Sequence, residues 1–302
     1  MNVWIRTINA LYASRGISDR LLSPPFAVPA RYGPAVEEIP QVLRDKFTQN
    51  GTVPVVNNFH DQAYLGGDAM VSLWTSQMVD QHIKDVRARK PEFSYDNTPM
   101  YSLFDANPNI VAGKRGVVVG SEFPWLEAFL LTYGSSEVTT VEYGTIVSED
   151  SRILTYTPDR FDKLFLRGDI EQFDYAFTYS SIEHDGLGRY GDVLNPDGDL
   201  QTVRKLMDVV LPGGLIFIGV PCCEDVLVWN AHRLYGPKRF QRLFAGLEIL
   251  GVFPQDIGFG RIQRGFTQPV WVLKNSFNCD ASNRRQGASQ FQALTSAQTL
   301  IL

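Results

Sequence analysis

Residues 173–221 constrain the fold more than any other part of the chain. They begin with an apolar run, pass through a polar cluster and a helical segment, and end in a Pro-Gly-Gly turn before a second apolar run. This order of strand, polar loop, helix, turn and strand is a βαβ unit. Ligands of open α/β sheets bind at the carboxyl ends of the strands. The polar loop, residues 180–192, therefore lies where a functional site is expected.

Strand patterns alternate with helical patterns from residue 115 onward. The predicted strands cover residues 116–120, 138–141, 152–156, 173–179, 215–220 and 270–273. Such alternation predicts an α/β, Rossmann-like, doubly wound and mostly parallel sheet with right-handed crossovers. We assign this domain to residues 113–276.

The first 112 residues are predicted to be an N-terminal extension that covers and packs on this domain. Residues 1–20 have the pattern of a short helix, and residues 21–40 contain five prolines, which favour an irregular, extended chain. Residues 68–89 have helical periodicity. Residues 277–302 are rich in Ser, Gln, Ala and Asn, which predicts a loosely ordered tail.

Charge and composition exclude several classes of protein. The 302 residues carry a net charge of −5 with scattered Lys and Arg, which argues against a nucleic-acid-binding surface. No apolar run approaches the ~20 residues that span a bilayer, and the N-terminus lacks the apolar core of a signal peptide. Three cysteines without a CxxC spacing favour a reducing compartment. We therefore expect a cytoplasmic protein without a membrane span.

The loop after the first strand, GSEFPW, argues against a nucleotide phosphate. A dinucleotide-binding fold would have G-x-G-x-x-G here, so that backbone amides approach the pyrophosphate. Only Gly120 is present, and Glu122 places a carboxylate where a phosphate needs positive potential. A cationic ligand without phosphate, such as S-adenosylmethionine, fits better. A tight turn, with Ser121 capping a helix that starts at Pro124, explains the same residues.

An acidic residue ends the second predicted strand. Glu142 lies 22 residues after Gly120, and an acid at about this spacing can accept hydrogen bonds from ribose hydroxyls. A surface glutamate at the end of a strand is the alternative interpretation.

The loop of residues 180–192 concentrates titratable groups. A histidine beside carboxylates, such as His184 beside Asp185 and Asp192, can act as a general base. The same three residues are a weaker alternative as ligands of a divalent cation. A polar loop that satisfies its own hydrogen bonds is the structural interpretation, although its three glycines indicate a specific backbone shape.

The segment WNAHRLYG at residues 229–236 follows the fifth strand and can fold over the same edge of the sheet. Its aromatic, amide, imidazole and guanidinium groups suit a polar, hydroxylated or anionic substrate. A structural loop with core aromatics explains each residue singly. The candidate substrate-binding residues of the two loops are Arg189, Tyr190, Asn230, Arg233 and Tyr235.

The order of these motifs resembles class I S-adenosylmethionine-dependent methyltransferases. The marks are SSIEH after the fourth strand, LMDVVLPGGLIFIGVP, and the acid of EYG after the second strand. Within that superfamily, the strings VGSEFPWLEAFLLTYG, TTVEYG, SSIEHDGLGRYGD and WNAHRLYG resemble a domain-of-unknown-function family first described from nematode proteins. The resemblance covers about residues 115–253, and departs from the methyltransferase pattern in the glycine-poor first loop.

The resemblance implies roles for seven residues in binding S-adenosylmethionine. Three would line its methionine end, one would hold the ribose, one would stack beside the adenine, and two would flank the cofactor at the fourth strand. In that order they are Gly120, Ser121 and Glu122, then Glu142, then Tyr143, then Ser180 and Ser181.

These observations predict a transferase that moves the methyl group of S-adenosylmethionine to a small polar acceptor. A hydroxyl of a sugar or glycan-like molecule is our preferred acceptor. His184 or His232 would remove its proton, with Asp192 as a third candidate catalytic residue, while the enzyme positions the reactants and excludes water. The alternative is a catalytically inactive methyltransferase-like binding or scaffold protein, which the degenerate first loop favours.

Overall fold

The computed structural model describes residues 35–63, 67–90, 96–255 and 265–276. The predicted helix of residues 1–20, most of the proline-rich segment and the tail of residues 277–302 lie outside the described residues. The helices are α1 (Gln41–Phe47), α2 (Ser76–Arg87), α3 (Thr98–Ala106), α4 (Trp125–Thr132), α5 (Pro158–Arg167), α6 (Gly198–Val209) and α7 (Pro237–Leu243). The strands are β1 (Val55–Asn58), β2 (Gly67–Trp74), β3 (Arg115–Val119), β4 (Glu137–Val141), β5 (Gly144–Ser148), β6 (Ile153–Tyr156), β7 (Phe173–Tyr179), β8 (Val210–Gly219), β9 (Val226–Asn230), β10 (His232–Leu234), β11 (Leu247–Phe253) and β12 (Val270–Asn275).

A seven-stranded sheet forms the centre of the fold. Its strand order is β11-β12-β8-β7-β3-β4-β6. The five strands from β8 to β6 pair in parallel, while β12 is antiparallel to both of its neighbours. The predicted Rossmann-like, mostly parallel sheet of class I methyltransferase type is therefore confirmed.

The strand order reverses between β3 and β7. From β3 the chain moves outward to β4 and β6, and then returns to β7 on the other side of β3. The helices that follow these two strands therefore lead away from each other and leave a crevice at the carboxyl ends. Such a switch point is where open α/β sheets bind their ligands.

Apolar side chains cover both faces of the sheet. Val117 and Val118 are neighbours on β3, yet they belong to different clusters of buried residues. This is because successive side chains of a strand point to opposite faces. A parallel sheet with both faces buried produces the continuous apolar strands seen in the sequence.

The predicted helix of residues 68–89 is wrong in its first half. Residues Gly67–Trp74 form β2, which pairs in parallel with β5. The helix begins only at Ser76, where the Oγ1 atom of Thr75 caps it by accepting a hydrogen bond from the Met78 N–H at 3.1 Å. Apolar residues continue from β2 into α2, so the periodicity of the sequence does not show where the strand ends and the helix begins. The boundary is set by pairing of β2 with β5, which lies about 75 residues further along the chain.

The described part of the extension lies on the central domain. Strand β1 pairs in parallel with β9, and the indole N–H of Trp229 donates to the Val36 carbonyl at 3.1 Å. Helix α2 packs on α4 through Val79, Ile83 and Val86. Among the described residues, no helix is both long and apolar enough to cross a membrane.

Candidate functional site

A cleft opens at the switch point, above the carboxyl ends of β3, β4 and β7. It is lined by Val119, Gly120, Val141, Glu142, Tyr143, Pro158, Ser181, Asp185 and Thr202. Four predicted cofactor-binding residues are therefore brought together here, from three different strand ends. Pro158 and Thr202 also line the cleft and were not predicted, because they stand at helix positions far from any motif.

Gly120 closes the first strand end in a conformation that favours glycine. Its φ is 77°, and its N–H donates to the Val141 carbonyl at 3.0 Å. A Cβ atom at this position would overlap the side chain of Ser181. The loop after β3 and the loop after β7 therefore approach as closely as a glycine permits.

Ser121 does not cap the next helix, contrary to the prediction. Helix α4 begins at Trp125, and Pro124 precedes its first turn. The Ser121 Oγ atom instead lies 2.8 Å from the Phe123 carbonyl oxygen, and its N–H donates to Oε2 of Glu142 at 2.8 Å. Pro124 occupies the N-cap position of this helix, and no side chain makes a capping hydrogen bond there.

Glu142 presents its carboxyl group to the cleft at the end of β4. Its Oε1 atom accepts the N–H of Tyr143 at 2.7 Å, and its Oε2 atom accepts the N–H of Ser121. The surrounding protein raises the pKa of Glu142 to about 7 by desolvation, and the exposed carboxylate of Glu122 also raises it. The Gly144 N–H also acts on this carboxyl group. A carboxylate has lone pairs for about four donors, so a position is left for a ligand hydroxyl.

Ser180 holds an uncommon backbone conformation at the end of β7. Its φ of 54° lies in the left-handed region, which non-glycine residues rarely adopt outside constrained sites. Its hydroxyl donates to Oε1 of Glu183 at 3.2 Å rather than lining the cleft. Of the two predicted serines, Ser181 is the one that faces the cleft.

The two candidate histidines lie side by side. The ring centroids of His184 and His232 are 6.2 Å apart. Nδ1 of His184 lies 2.5 Å from the Ala231 carbonyl, so it carries the hydrogen and Nε2 is left as the acceptor. Burial lowers the pKa of His184 to about 3 and that of His232 to about 4, and the nearby guanidinium of Arg189 lowers both further. Both rings are neutral at pH 7.

Glu183 is a buried carboxyl group that the sequence analysis did not select. It is 1% exposed, and its Oε1 atom lies 3.9 Å from Nε2 of His184. Its Oε2 atom has no hydrogen-bond partner among the described residues. Burial raises the pKa of Glu183 to about 7. Its position directly before His184, at the end of a buried strand, was the available signal.

Asp192 organises the loop that contains these residues. Its Oδ2 atom accepts the N–H groups of Gly186 at 2.7 Å and Gly188 at 3.2 Å, and its Oδ1 atom accepts the Tyr190 N–H at 3.3 Å. Burial raises its pKa above the ordinary value. This geometry favours a structural role over the predicted catalytic one.

The alternative metal site does not form. Oδ2 of Asp185 accepts the hydroxyl of Thr202 at 2.5 Å, Asp192 binds backbone N–H groups, and His184 turns to Ala231. Within the described ranges, no group of three or more His, Cys, Asp or Glu side chains is arranged to hold a metal ion. Burial raises the pKa of Asp185 to about 8.

Arg189 and Tyr190 stand beside the histidine pair. The guanidinium of Arg189 donates to Oε1 of Gln62 at 2.6 Å and lies 5.1 Å from the centroid of the Tyr190 ring. The Tyr190 ring makes an edge contact with His184 at 5.6 Å. Burial raises the pKa of Tyr190, the Arg189 guanidinium lowers it, and the acids Glu122 and Glu142 act in the same direction as burial.

Three predicted substrate-binding residues are used inside the protein. Asn230 exchanges two hydrogen bonds with the backbone of His60, at 2.8 and 2.9 Å. The guanidinium of Arg233 donates to the carbonyl of Asp185 at 2.6 Å, and Tyr235 donates to Asp199 at 3.0 Å. These contacts correct the predicted role. Amide, guanidinium and hydroxyl groups can bind a polar ligand or groups of the protein itself equally well. The sequence therefore does not distinguish a ligand-binding role from a structural one.

One family model matches the part of the chain that contains the cleft. A family model described as "Caenorhabditis protein of unknown function, DUF268" matches residues 113–259. A comparison with curated proteins gave no match.

Solved structures share the architecture at low identity. A 1,6-didemethyltoxoflavin-N1-methyltransferase from Burkholderia thailandensis is 12% identical, with 65% of this chain and 86% of that one covered and a TM-score of 0.43. An O-methyltransferase from Bacillus cereus is 16% identical; the match covers 66% of this chain and 91% of that one, with a TM-score of 0.39. A Streptococcus thermophilus protein described as a hemolysin is 12% identical; the match covers 69% of this chain and 78% of that one, with a TM-score of 0.40. The DUF268 family model thus covers the residues that line the cleft, as the motifs predicted, and β12 lies beyond the matched segment.

Proposed function

We propose that this chain binds S-adenosylmethionine in the switch-point cleft and transfers its methyl group to a small polar acceptor. The observation that carries this proposal is the set of side chains that line the cleft. Among the described residues, they include the carboxyl groups of Glu142 and Asp185, which can ionise next to a cation, and no cationic side chain. A phosphate needs N–H donors or positive potential, whereas an ammonium and a sulfonium favour acidic surroundings.

The strand ends supply the groups that such a cofactor needs. Glu142 would accept the ribose hydroxyls, and Gly120 with Ser121 would leave room for the methionine end. Tyr143 offers an aromatic surface for the adenine. When bound, the cofactor supplies a methyl group on a sulfonium. The chain's contribution is to hold the acceptor in line with it and to exclude water.

The acceptor side favours a hydroxylated molecule. A hydroxyl must lose its proton as the methyl group arrives, and neutral His184 and His232 can accept hydrogen bonds from it. A base with a pKa near 7 is better matched to this task than one near 3. Glu183, whose Oε2 atom has no partner among the described residues, is therefore our first candidate for the final proton acceptor. A sugar or glycan-like hydroxyl remains the proposed acceptor.

Removal of the Glu142 carboxyl group tests the cofactor assignment. Glu142→Ala should weaken binding of S-adenosylhomocysteine by about 1–3 kcal/mol, because the ribose hydroxyls lose their acceptor. Isothermal titration measures this change. The control is Glu137→Ala at the opposite end of the same strand, where the carboxylate pairs with Arg115 at 3.1 Å and affinity should not change. Equal affinity of wild type and Glu142→Ala would refute the assignment.

A binding protein without catalysis is the second candidate. The internal use of Asn230, Arg233 and Tyr235 favours it, because the polar loops then need no substrate to explain them. Release of labelled methyl groups from S-adenosylmethionine onto a panel of hydroxylated acceptors separates the two. Binding of the cofactor with no transfer to any acceptor would favour the binding protein.

A further inference from the structure

A buried carboxyl group lies beneath the first loop. Glu127 belongs to the first turn of α4 and has no exposed surface. Its Oε1 atom accepts the hydroxyl of Thr140 on β4 at 2.7 Å, and its Oε2 atom lies 3.0 Å from Oγ of Ser121. One side chain therefore connects the helix, the second strand of the domain and the first loop.

A count of hydrogens fixes the direction of these contacts. Oγ of Ser121 is within reach of two acceptors, the Phe123 carbonyl at 2.8 Å and Oε2 of Glu127. A hydroxyl carries one hydrogen, and a carbonyl oxygen can only accept. Each contact has a hydrogen of its own only if Ser121 donates to Phe123 and a protonated Glu127 donates to Ser121; otherwise the two acceptors share the single Ser121 hydrogen. If Ser121 gave its hydrogen to Glu127 alone, the Ser121 Oγ atom and the Phe123 carbonyl oxygen would lie 2.8 Å apart with no hydrogen between them.

The surroundings of Glu127 favour the protonated form. Burial, together with the neighbouring Glu142, raises its pKa to about 7, against the opposing hydrogen bonds with Thr140, the Glu127 backbone and Ser121. The other titratable group acting on it is the phenol of Tyr175 on β7, which is hydrogen-bonded to Ser135 at 2.6 Å. From the outer side, α2 presents apolar side chains to α4. Neither Glu142 nor Tyr175 can supply a positive charge to balance an ionised Glu127.

We propose that Glu127 carries its proton in the binding-competent state and, by donating to Ser121, shapes the first loop in place of the absent glycines. With the loop held this way, the Ser121 N–H points at Oε2 of Glu142. Glu142 is then the carboxyl group that ionises toward the ligand. Glu127 is a positioning residue, and the ligand part of this inference rests on the proposed cofactor.

A glutamine reproduces the protonated acid. In Glu127→Gln, the side-chain carbonyl can accept from Thr140 and the amide NH2 can donate to Ser121. Glu127→Ala removes both contacts. Glu171→Gln is the matched control, because the Glu171 side chain is 87% exposed.

The first experiment uses the ligand-free protein. Thermal midpoints of wild type and Glu127→Gln are measured between pH 5.5 and 8.5. The pKa of Glu127 is higher in the folded state than its ordinary value of 4.5, so its stabilisation is complete at low pH and is lost as pH rises through about 7. Wild type should therefore lose several degrees relative to Glu127→Gln over this range. Parallel profiles for the two proteins would overturn the inference, and Glu171→Gln should follow wild type.

The second experiment is a calorimetric titration with S-adenosylhomocysteine at pH 6.5 and 8.5. Glu127→Gln should bind within about threefold of wild type at pH 6.5, and Glu127→Ala about tenfold more weakly, because the loop loses its hydrogen bonds. At pH 8.5 wild type should weaken and Glu127→Gln should not. A glutamine variant as weak as the alanine variant would overturn the positioning role. No binding to wild type would overturn the proposed cofactor alone, since the melting profiles decide the protonation of Glu127.

Discussion

Two residues with positive φ bring the ends of β3 and β7 together. Gly120 has a φ of 77° and Ser180 a φ of 54°, and each ends one of the two neighbouring strands at the switch point. The left-handed conformation turns each chain sharply out of the sheet. The cleft between the two loops therefore depends on backbone shape at single residues, as well as on the side chains that line it.

At this scale, Gly120→Ala should disrupt the site. The new Cβ atom would overlap the Ser181 side chain, in addition to the penalty of roughly 1 kcal/mol for a positive φ. Gly168→Ala is the control, because Gly168 has a similar φ of 83° and nothing within 4 Å of the added atom. Urea unfolding and ligand titration should show a larger loss for Gly120→Ala, and equal losses would contradict the close approach.

At the scale of elements, one buried acid connects α6, α7 and the segment between β10 and α7. Asp199 in the first turn of α6 accepts hydrogen bonds from Arg239 on α7, with Nε at 2.9 Å, and from the hydroxyl of Tyr235. Its pKa is lowered, because the charges of Arg239 and Arg233 outweigh the burial that opposes them. This ion pair explains why Tyr235, chosen from the sequence as a ligand contact, is fully buried.

Truncation of this acid should destabilise the whole domain. Asp199→Ala would leave the buried guanidinium of Arg239 with the half-exposed carboxylate of Asp197, 3.8 Å away, and with the Pro196 carbonyl. We expect a cost of about 3 kcal/mol, the lower end for a broken buried ion pair. The control is Arg242→Ala, which removes a half-exposed contact to Asp197 at 2.8 Å and should have little effect. Chemical denaturation measures both, and similar small effects would show that the buried pair is not a stabilising link.

At the scale of the whole molecule, buried acids and histidines give the protein an unusual response to pH. Five carboxyl groups of the described residues have raised pKa values: about 7 for Glu127, Glu142 and Glu183, about 8 for Asp185, and above the ordinary value for Asp192. The contribution of each carboxyl group to folding stability is complete at low pH and is lost as pH rises through its pKa in the folded protein. The two histidines have lowered pKa values, so their contribution is complete above their ordinary value of 6.5.

The raised carboxyl groups titrate between pH 6.5 and 8.5 in the folded protein, so their contribution to stability without ligand should fall as pH rises. The folded protein binds more protons than the unfolded chain in this window, which predicts a loss on the order of 2–4 kcal/mol. Urea unfolding at three pH values measures the loss. Asp185→Asn should reduce the slope, since it removes the group that titrates highest. A stability that is constant or rising over this window would contradict the assigned protonation states.

The motifs around the sheet were predictable because each is local. The strand of residues 173–179, the acid at Glu142 and the single glycine at Gly120 could be located from apolar runs and spacing, and the structure brings the last two into one cleft. Glu127 was not predicted, because a glutamate in a helix reads as an exposed residue until its neighbours are known.

The sequence by itself determined the alternation of strands and helices in the central domain and the loss of phosphate-binding glycines, since these depend on periodicity and residue type over short stretches. The strand order, and with it the switch point, was decided by long-range pairing. Only the tertiary structure decided which polar groups face the cleft. Asn230, Arg233 and Asp192 turn to backbone groups, whereas Asp185 and Thr202 reach the ligand side. The physical reason is that a buried polar group must find a hydrogen-bond partner, and long-range packing decides which partner is near.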